Sequence, residues 1–104
     1  MKKVNSVEFA KAIADETRQQ IMRLCCCQEL SVSEIVEKTN VSQPTVSHHL
    51  AILRDADLVF VRSEGKQTYY TLNQERLAVC CGQLLQVFAP ETDVTEAVKQ
   101  VCEC

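Results

Sequence analysis

Apolar residues recur along this chain first at helical and then at strand spacing, and the changes of period mark its elements. Val7, Phe9, Ala10 and Ile13 predict a short first helix over 7–13. Asp15 and Glu16 put acid where a helix macrodipole favours it, and so open a second helix. Its buried stripe is Ile21, Leu24 and Cys25, at i, i+3 and i+4, and it runs to about Cys27-Gln28. Ser31-Val32-Ser33-Glu34 has the form of a capping box, Ser at the N-cap and Glu three residues on. The helix it predicts turns Ile35 and Val36 inward and ends near Lys38. Asn40 tolerates the left-handed conformation that a tight turn needs. Ser42 then caps another helix, and Pro44 falls in its first turn, where a missing N–H costs nothing. Val46, Leu50 and Leu53 share one face of it, and Val41 with Val46 can form a hydrophobic staple.

The period then changes. Leu58-Val59-Phe60-Val61-Arg62 is β-branched and aromatic, a strand; Gln67-Thr68-Tyr69-Tyr70-Thr71-Leu72 is a second. Gly65 between them supplies positive φ for the turn of a β-hairpin. Asn73 caps a long helix over 74–88, with Leu77, Cys81, Leu84, Leu85 and Phe88 on its apolar side, and Ala89-Pro90 stops it. Val94, Ala97, Val98 and Val101 predict a last short helix over 93–101. With only 2 glycines and 2 prolines, 104 residues make one mainly α domain with a small β-hairpin, residues 1–104. Two short helices joined by a tight turn and followed by a hairpin are in the order of a winged helix-turn-helix. The reading helix is then about 42–54 and the wing about 58–72.

That order predicts which side chains meet double-stranded DNA. The second helix of such a unit offers its N-terminal half to base edges. Ser42, Gln43, Thr45, Ser47, His48 and His49 occupy that half. Gln bonds adenine bidentately, and Ser or Thr serves bases and phosphates alike. Arg54 lies farther along the helix, and Arg62 and Lys66 flank the hairpin turn, all suited to phosphates or a minor groove. The bland alternatives are a solvated face with one half-buried imidazole ring, and surface charges that bind nothing. The net charge of −3 runs against DNA binding, but it is concentrated at one end. Residues 1–73 are neutral, with nine basic and nine acidic groups, and residues 74–104 carry two against five.

Seven cysteines in so short a chain change the picture again. The number is odd, and Cys25-Cys26-Cys27 and Cys80-Cys81 are adjacent, a geometry that strains a disulfide. Metal binding or redox chemistry in a reducing compartment fits better than a secreted framework. No signal-like apolar run follows Met1-Lys2-Lys3, and no stretch approaches the ~20 apolar residues of a membrane span. The expectation is therefore a cytoplasmic protein that makes no membrane contact.

Thr45-Val46-Ser47-His48-His49-Leu50, with Ser42-Gln43-Pro44 before it and Leu53-Arg54-Asp55-Ala56-Asp57-Leu58-Val59 after it, resembles the recognition-helix signature of the ArsR/SmtB family. Asp15-Glu16-Thr17-Arg18-Gln19-Gln20-Ile21 is similar to that family's opening segment, and Gly65-Lys66 with Tyr69-Tyr70 to its wing. The resemblance covers residues 7–88. It implies a homodimeric bacterial repressor, released from its operator by metal or metalloid ions, with helices 7–13 and 74–88 forming the dimer interface.

The thiols then read as an effector site. Thiolates select soft ions, and trivalent arsenic or antimony suits three of them in a pyramid. The family's Cys-x-Cys pair at the start of the first reading-unit helix is absent, since Ser31 and Ser33 stand there. The last helix holds no His, unlike the family's zinc sensors. Cys80 and Cys81, with Cys102 and Cys104 in the cysteine-bearing tail 89–104, resemble the arrangement of family arsenite sensors. Cys26 and Cys27 are secondary candidates, Cys25 is expected to be core, and Cys81 can equally be packing at the dimer interface. As(III) or Sb(III) is the expected inducer. A Cd, Pb or Hg sensor and a thiol-redox repressor are the alternatives. No enzyme motif is visible, and a pure metal buffer has no use for a reading helix.

Overall fold

Four of the five helices begin on a side chain that satisfies their first amides. The computed structural model describes residues 5–93. Asn5 Oδ1 accepts from the N–H groups of Val7 and Glu8, both at 3.1 Å, and starts α1, Ser6–Ile13. Asp15 accepts from Arg18 N–H at 2.9 Å and starts α2, Glu16–Leu24. Ser31 and Glu34 close the reciprocal capping box of α3, Val32–Thr39, and Asn40 ends it in the left-handed region at φ 61°. The reading helix α4 is Gln43–Asp55. Strands β2, Val59–Glu64, and β3, Gln67–Leu72, form the wing, and α5 is Gln74–Phe88 with Asn73 at its N-cap. Gly65 is the first of two residues between the paired Glu64 and Gln67, at φ 61°, where a tight hairpin demands positive φ.

The structure corrects the sequence reading in three places. The second helix stops at Leu24 and not near Cys27-Gln28. The carbonyls beyond it are taken by other elements: Leu72 N–H donates to Cys25 O at 2.9 Å and Gln74 Nε2 to Cys26 O at 2.6 Å. A strand not anticipated from the pattern, β1, Leu30–Ser31, pairs antiparallel with β3, giving a three-stranded sheet in the order β1-β3-β2. Two residues have no period to read. Finally, α5 turns Cys80 into the core and Cys81 out to solvent, the reverse of the expectation for this pair, while Leu77 and Leu84 of the expected stripe do pack against the core. The short helix expected over 93–101 lies outside the described residues but for its first position.

Helices and wing close on one core. Ile21, Cys25, Ile35, Val46, Leu50, Leu53 and Leu58 are fully buried at its centre, with Phe9 and Ala12 of α1 and Cys80 of α5 at one side. At about 1.5–3 kcal/mol for each fully buried large apolar side chain, this shared cluster holds α4 in a fixed orientation. Asn73 ties the reading unit to α5: its Oδ1 caps Arg76 N–H while its Nδ2 donates to Asp57 O at 3.0 Å. The architecture is that of a winged helix-turn-helix.

Candidate functional site

On α4, the buried positions Val46, His49, Leu50 and Leu53 alternate with exposed ones at helical spacing. Gln43, Thr45, Ser47 and His48 therefore point outward from a helix whose opposite face is locked in the core. Ser42 occupies the N-cap, but its hydroxyl turns to the Thr45 hydroxyl, donating at 2.9 Å, and makes no bond to the first-turn amides. Those amides lie at the exposed end of the helix, where its positive pole favours phosphate. Ser42 is thus exposed and polar as expected, without the capping bond expected of it.

His49 departs from the expectation of a base-reading side chain. It is only 9 % exposed, and the Arg18 guanidinium donates from Nη1 to its Nδ1 at 3.0 Å. A guanidinium has no lone pair to offer, so the neutral ring carries its proton on Nε2. Burial lowers the His49 pKa below 6.5, and the positive charge of Arg18 adds to this while Asp15 works against it. Arg18 also donates to Ala12 O at 2.6 Å and Lys11 O at 3.2 Å, carbonyls at the C-terminal end of α1. One arginine thus joins α1, α2 and α4.

The basic residues divide. Lys66 is exposed at the hairpin turn. Arg54 is exposed beside Asp55, at 3.5 Å. Arg62 is already engaged: it bonds both carboxylate oxygens of Glu29, at 2.7 and 2.8 Å, and Glu64 at 2.8 Å, and lies 4.8 Å over the Tyr69 ring. The Glu29 bond is the chief reason its guanidinium holds its proton more tightly than usual and the Glu29 carboxyl sits lower than usual. Arg62 must exchange two carboxylates for a phosphate before it can meet DNA, which sets it below Lys66 as a backbone contact.

Among the described residues, the thiols of α5 and those of the turn after α2 do not converge on one site. Cys80 is 1 % exposed and lines a small recess with Phe9 and Arg76, so it is closed to an ion in this conformation. Cys81 is exposed on α5, its thiol pushed up by partial burial and then by Cys80 beside it. Cys102 and Cys104 lie outside the described residues. Cys26 and Cys27 sit on the turn after α2, sulfur to sulfur 3.1 Å. Among the described residues, no three His, Cys, Asp or Glu side chains are grouped to hold a metal ion.

This geometry has relatives. The profile of the arsR family of bacterial regulatory proteins matches residues 15–60. An arsenical resistance operon repressor of Staphylococcus xylosus is 33 % identical over 94 residues, 90 % of this chain and 83 % of that protein. The chain belongs to the ArsR family. The transcriptional repressor SdpR of Bacillus subtilis is 40 % identical over 63 residues, 61 % of this chain and 70 % of that one. The solved structure of reduced HlyU from Vibrio cholerae superposes with a TM-score of 0.65 at 38 % identity, over 81 % of this chain and 87 % of the other.

As an ArsR-family member the protein is a DNA-binding transcriptional regulator and not an enzyme. Sequence reasoning missed two partners that shape this ArsR-family surface, Arg18 and Glu29. Arg18 stands in the opening segment already singled out, but nothing local ties it to His49, 31 residues away. Glu29 lies 33 residues from Arg62, and only the packing of the wing brings them together.

Proposed function

We propose that this protein is a homodimeric repressor that reads its operator with Gln43, Thr45, Ser47 and His48, and leaves it when a thiophilic ion binds cysteine thiolates. Arsenite or antimonite is the first-choice inducer. The observation that carries the reading is the outward polar row of α4, held by the buried Val46, Leu50 and Leu53. Lys66 and Arg54 supply phosphate contacts, and Ser42 sits where a helix N-terminus meets the backbone.

The dimer is supported by an apolar face that one chain leaves bare. Val7 on α1 is 62 % exposed, and Val87 and Phe88 on α5 are 65 % and 80 % exposed. Between these helices runs an open groove of about 380 Å³ lined by Val7, Ala10, Leu84 and Phe88. A second copy presenting the same helices covers it symmetrically and sets two reading helices at a fixed spacing.

The effector site is centred on Cys81, which lies on α5 facing solvent. With Cys102 and Cys104 it makes three thiols, the number a pyramidal arsenic or antimony centre takes. Cys80 joins only if α5 rotates and draws it from the core. An ion that favours such a shift couples the thiol site to the reading helices through the dimer. A tenfold loss of operator affinity needs only about 1.4 kcal/mol of differential binding. The arsenical resistance operon repressor of Staphylococcus xylosus, alignable over most of the chain, lends support to arsenite.

The test is binding of the fully reduced protein to its own upstream DNA, followed by fluorescence anisotropy while arsenite, Cd, Pb and Zn are added in turn. Release by near-stoichiometric arsenite is expected, and its loss in a Cys81→Ser, Cys102→Ser, Cys104→Ser variant. Release by Cd or Pb alone keeps the repressor and changes the inducer. Indifference to every ion, with release by peroxide, replaces metal sensing by thiol oxidation.

A further inference from the structure

The turn that closes α2 carries thiols that operator release through α5 does not use. Cys25 is fully buried, and burial pushes its thiol up to about 11, so it remains a protonated core group. Cys26 and Cys27 differ from it. Cys26 is half-buried and Cys27 exposed, and their sulfurs stand 3.1 Å apart. The backbone beneath them is held by Leu72 N–H on Cys25 O and Gln74 Nε2 on Cys26 O. Cys26 also lines an open cavity of about 260 Å³ whose other walls include Ile13, Met22, Leu72 and Leu77.

The donor count selects the ligand class. Zinc asks for four ligands and inorganic arsenic(III) for three thiolates. This turn offers two, with no third His, Cys, Asp or Glu grouped to complete a metal site among the described residues. Two thiols satisfy an arsenic centre that already carries one carbon. The apolar cavity beside Cys26 suits that carbon substituent.

We infer that Cys26 and Cys27 form a dithiol site for a monosubstituted trivalent arsenical, with its organic group lodged in the cavity lined by Ile13, Met22, Leu72 and Leu77. The reactant is R–As(OH)₂. Two S–H bonds and two As–O bonds break, two S–As bonds form, and the thiol protons leave with the oxygens as two waters. Arsenic stays trivalent, so no oxidant is consumed. An apolar cavity of about 150 Å³ accepts a benzene ring, so a phenyl group has room here.

The site is tested with phenylarsine oxide on the full reduced chain carrying Cys80→Ala, Cys81→Ser, Cys102→Ser and Cys104→Ser. These changes remove the thiols proposed for operator release, so failure here and failure there are distinguishable. One adduct per chain is expected by intact mass, with two free thiols lost by titration. Adding Cys26→Ser or Cys27→Ser weakens it at least about tenfold, ~1.4 kcal/mol. Relative to dithiothreitol, the protein prefers the phenyl over the methyl arsenical. If the multiple variant does not fold, peptide mapping of the adduct on the unaltered chain locates the same pair. No adduct, an adduct on other cysteines, or inorganic arsenite held as tightly with three thiols consumed would each overturn the assignment.

Discussion

His48 and His49 stand side by side on the reading helix, yet one faces solvent and the other accepts a bond from Arg18. The difference has a pH signature. The folded state lowers the His49 pKa below 6.5, so as pH falls the unfolded chain takes up this proton first. Stability is complete above that value and is lost as pH drops through the lower, folded one. Between about pH 7.5 and 5.5 the melting temperature should therefore fall further in the wild type than in His49→Gln, read by circular dichroism. A matching fall in both proteins would deny His49 this role. Gln43 and Lys66 separate by another readout. Gln43→Ala should cost about 1–3 kcal/mol on the preferred operator and relax the preference at one base pair. Lys66→Ala should weaken all sequences alike and lower the salt slope by about one. Anisotropy titrations across operator variants and salt concentrations distinguish the two patterns, and equal sequence-dependence in both variants would reject the division.

At the scale of elements, the caps and the turn were legible because each acts within a few residues. Asp15, the Ser31–Glu34 box, Asn40 and Asn73 sit where the sequence placed them, whereas the Asn5 cap was not anticipated. Gly65 tests the wing in isolation. A methyl group there meets nothing within 4 Å, so the whole penalty of Gly65→Ala comes from its φ of 61°. The expected loss is about 1–2 kcal/mol in a denaturant melt. A neutral result would mean that the turn relaxes to another type. The two-residue β1 strand was not legible, since its pairing with Tyr69 and Tyr70 is made across some forty residues of chain.

For the whole molecule, the proposed dimer rests on the apolar face of α1 and α5. Phe88 is 80 % exposed in the single chain, so its replacement removes no core packing. Phe88→Glu should leave the monomer folded, with its helical circular dichroism intact. It should shift sedimentation from dimer to monomer and weaken operator binding at least about tenfold, a loss of about 1.4 kcal/mol. An unchanged sedimentation coefficient would place the dimer contact elsewhere.

By itself the sequence determined the order of the helices and the wing strands, most of the caps between them and the polar row of the reading helix. All of these rest on periodicity and on bonds reaching three or four residues, which a linear pattern encodes. Only the tertiary structure decided which face of α5 is buried. Its helix is apolar on more than one side, and Cys80 and Cys81 point about 100° apart, so either rotation fits the pattern. The core chose Cys80. Packing likewise withdrew His49 behind Arg18, set Arg62 against Glu29, and brought the Cys26–Cys27 pair to the edge of an apolar cavity. Those arrangements depend on residues far apart in the chain, whose meeting is set by how helices and wing close on the shared core.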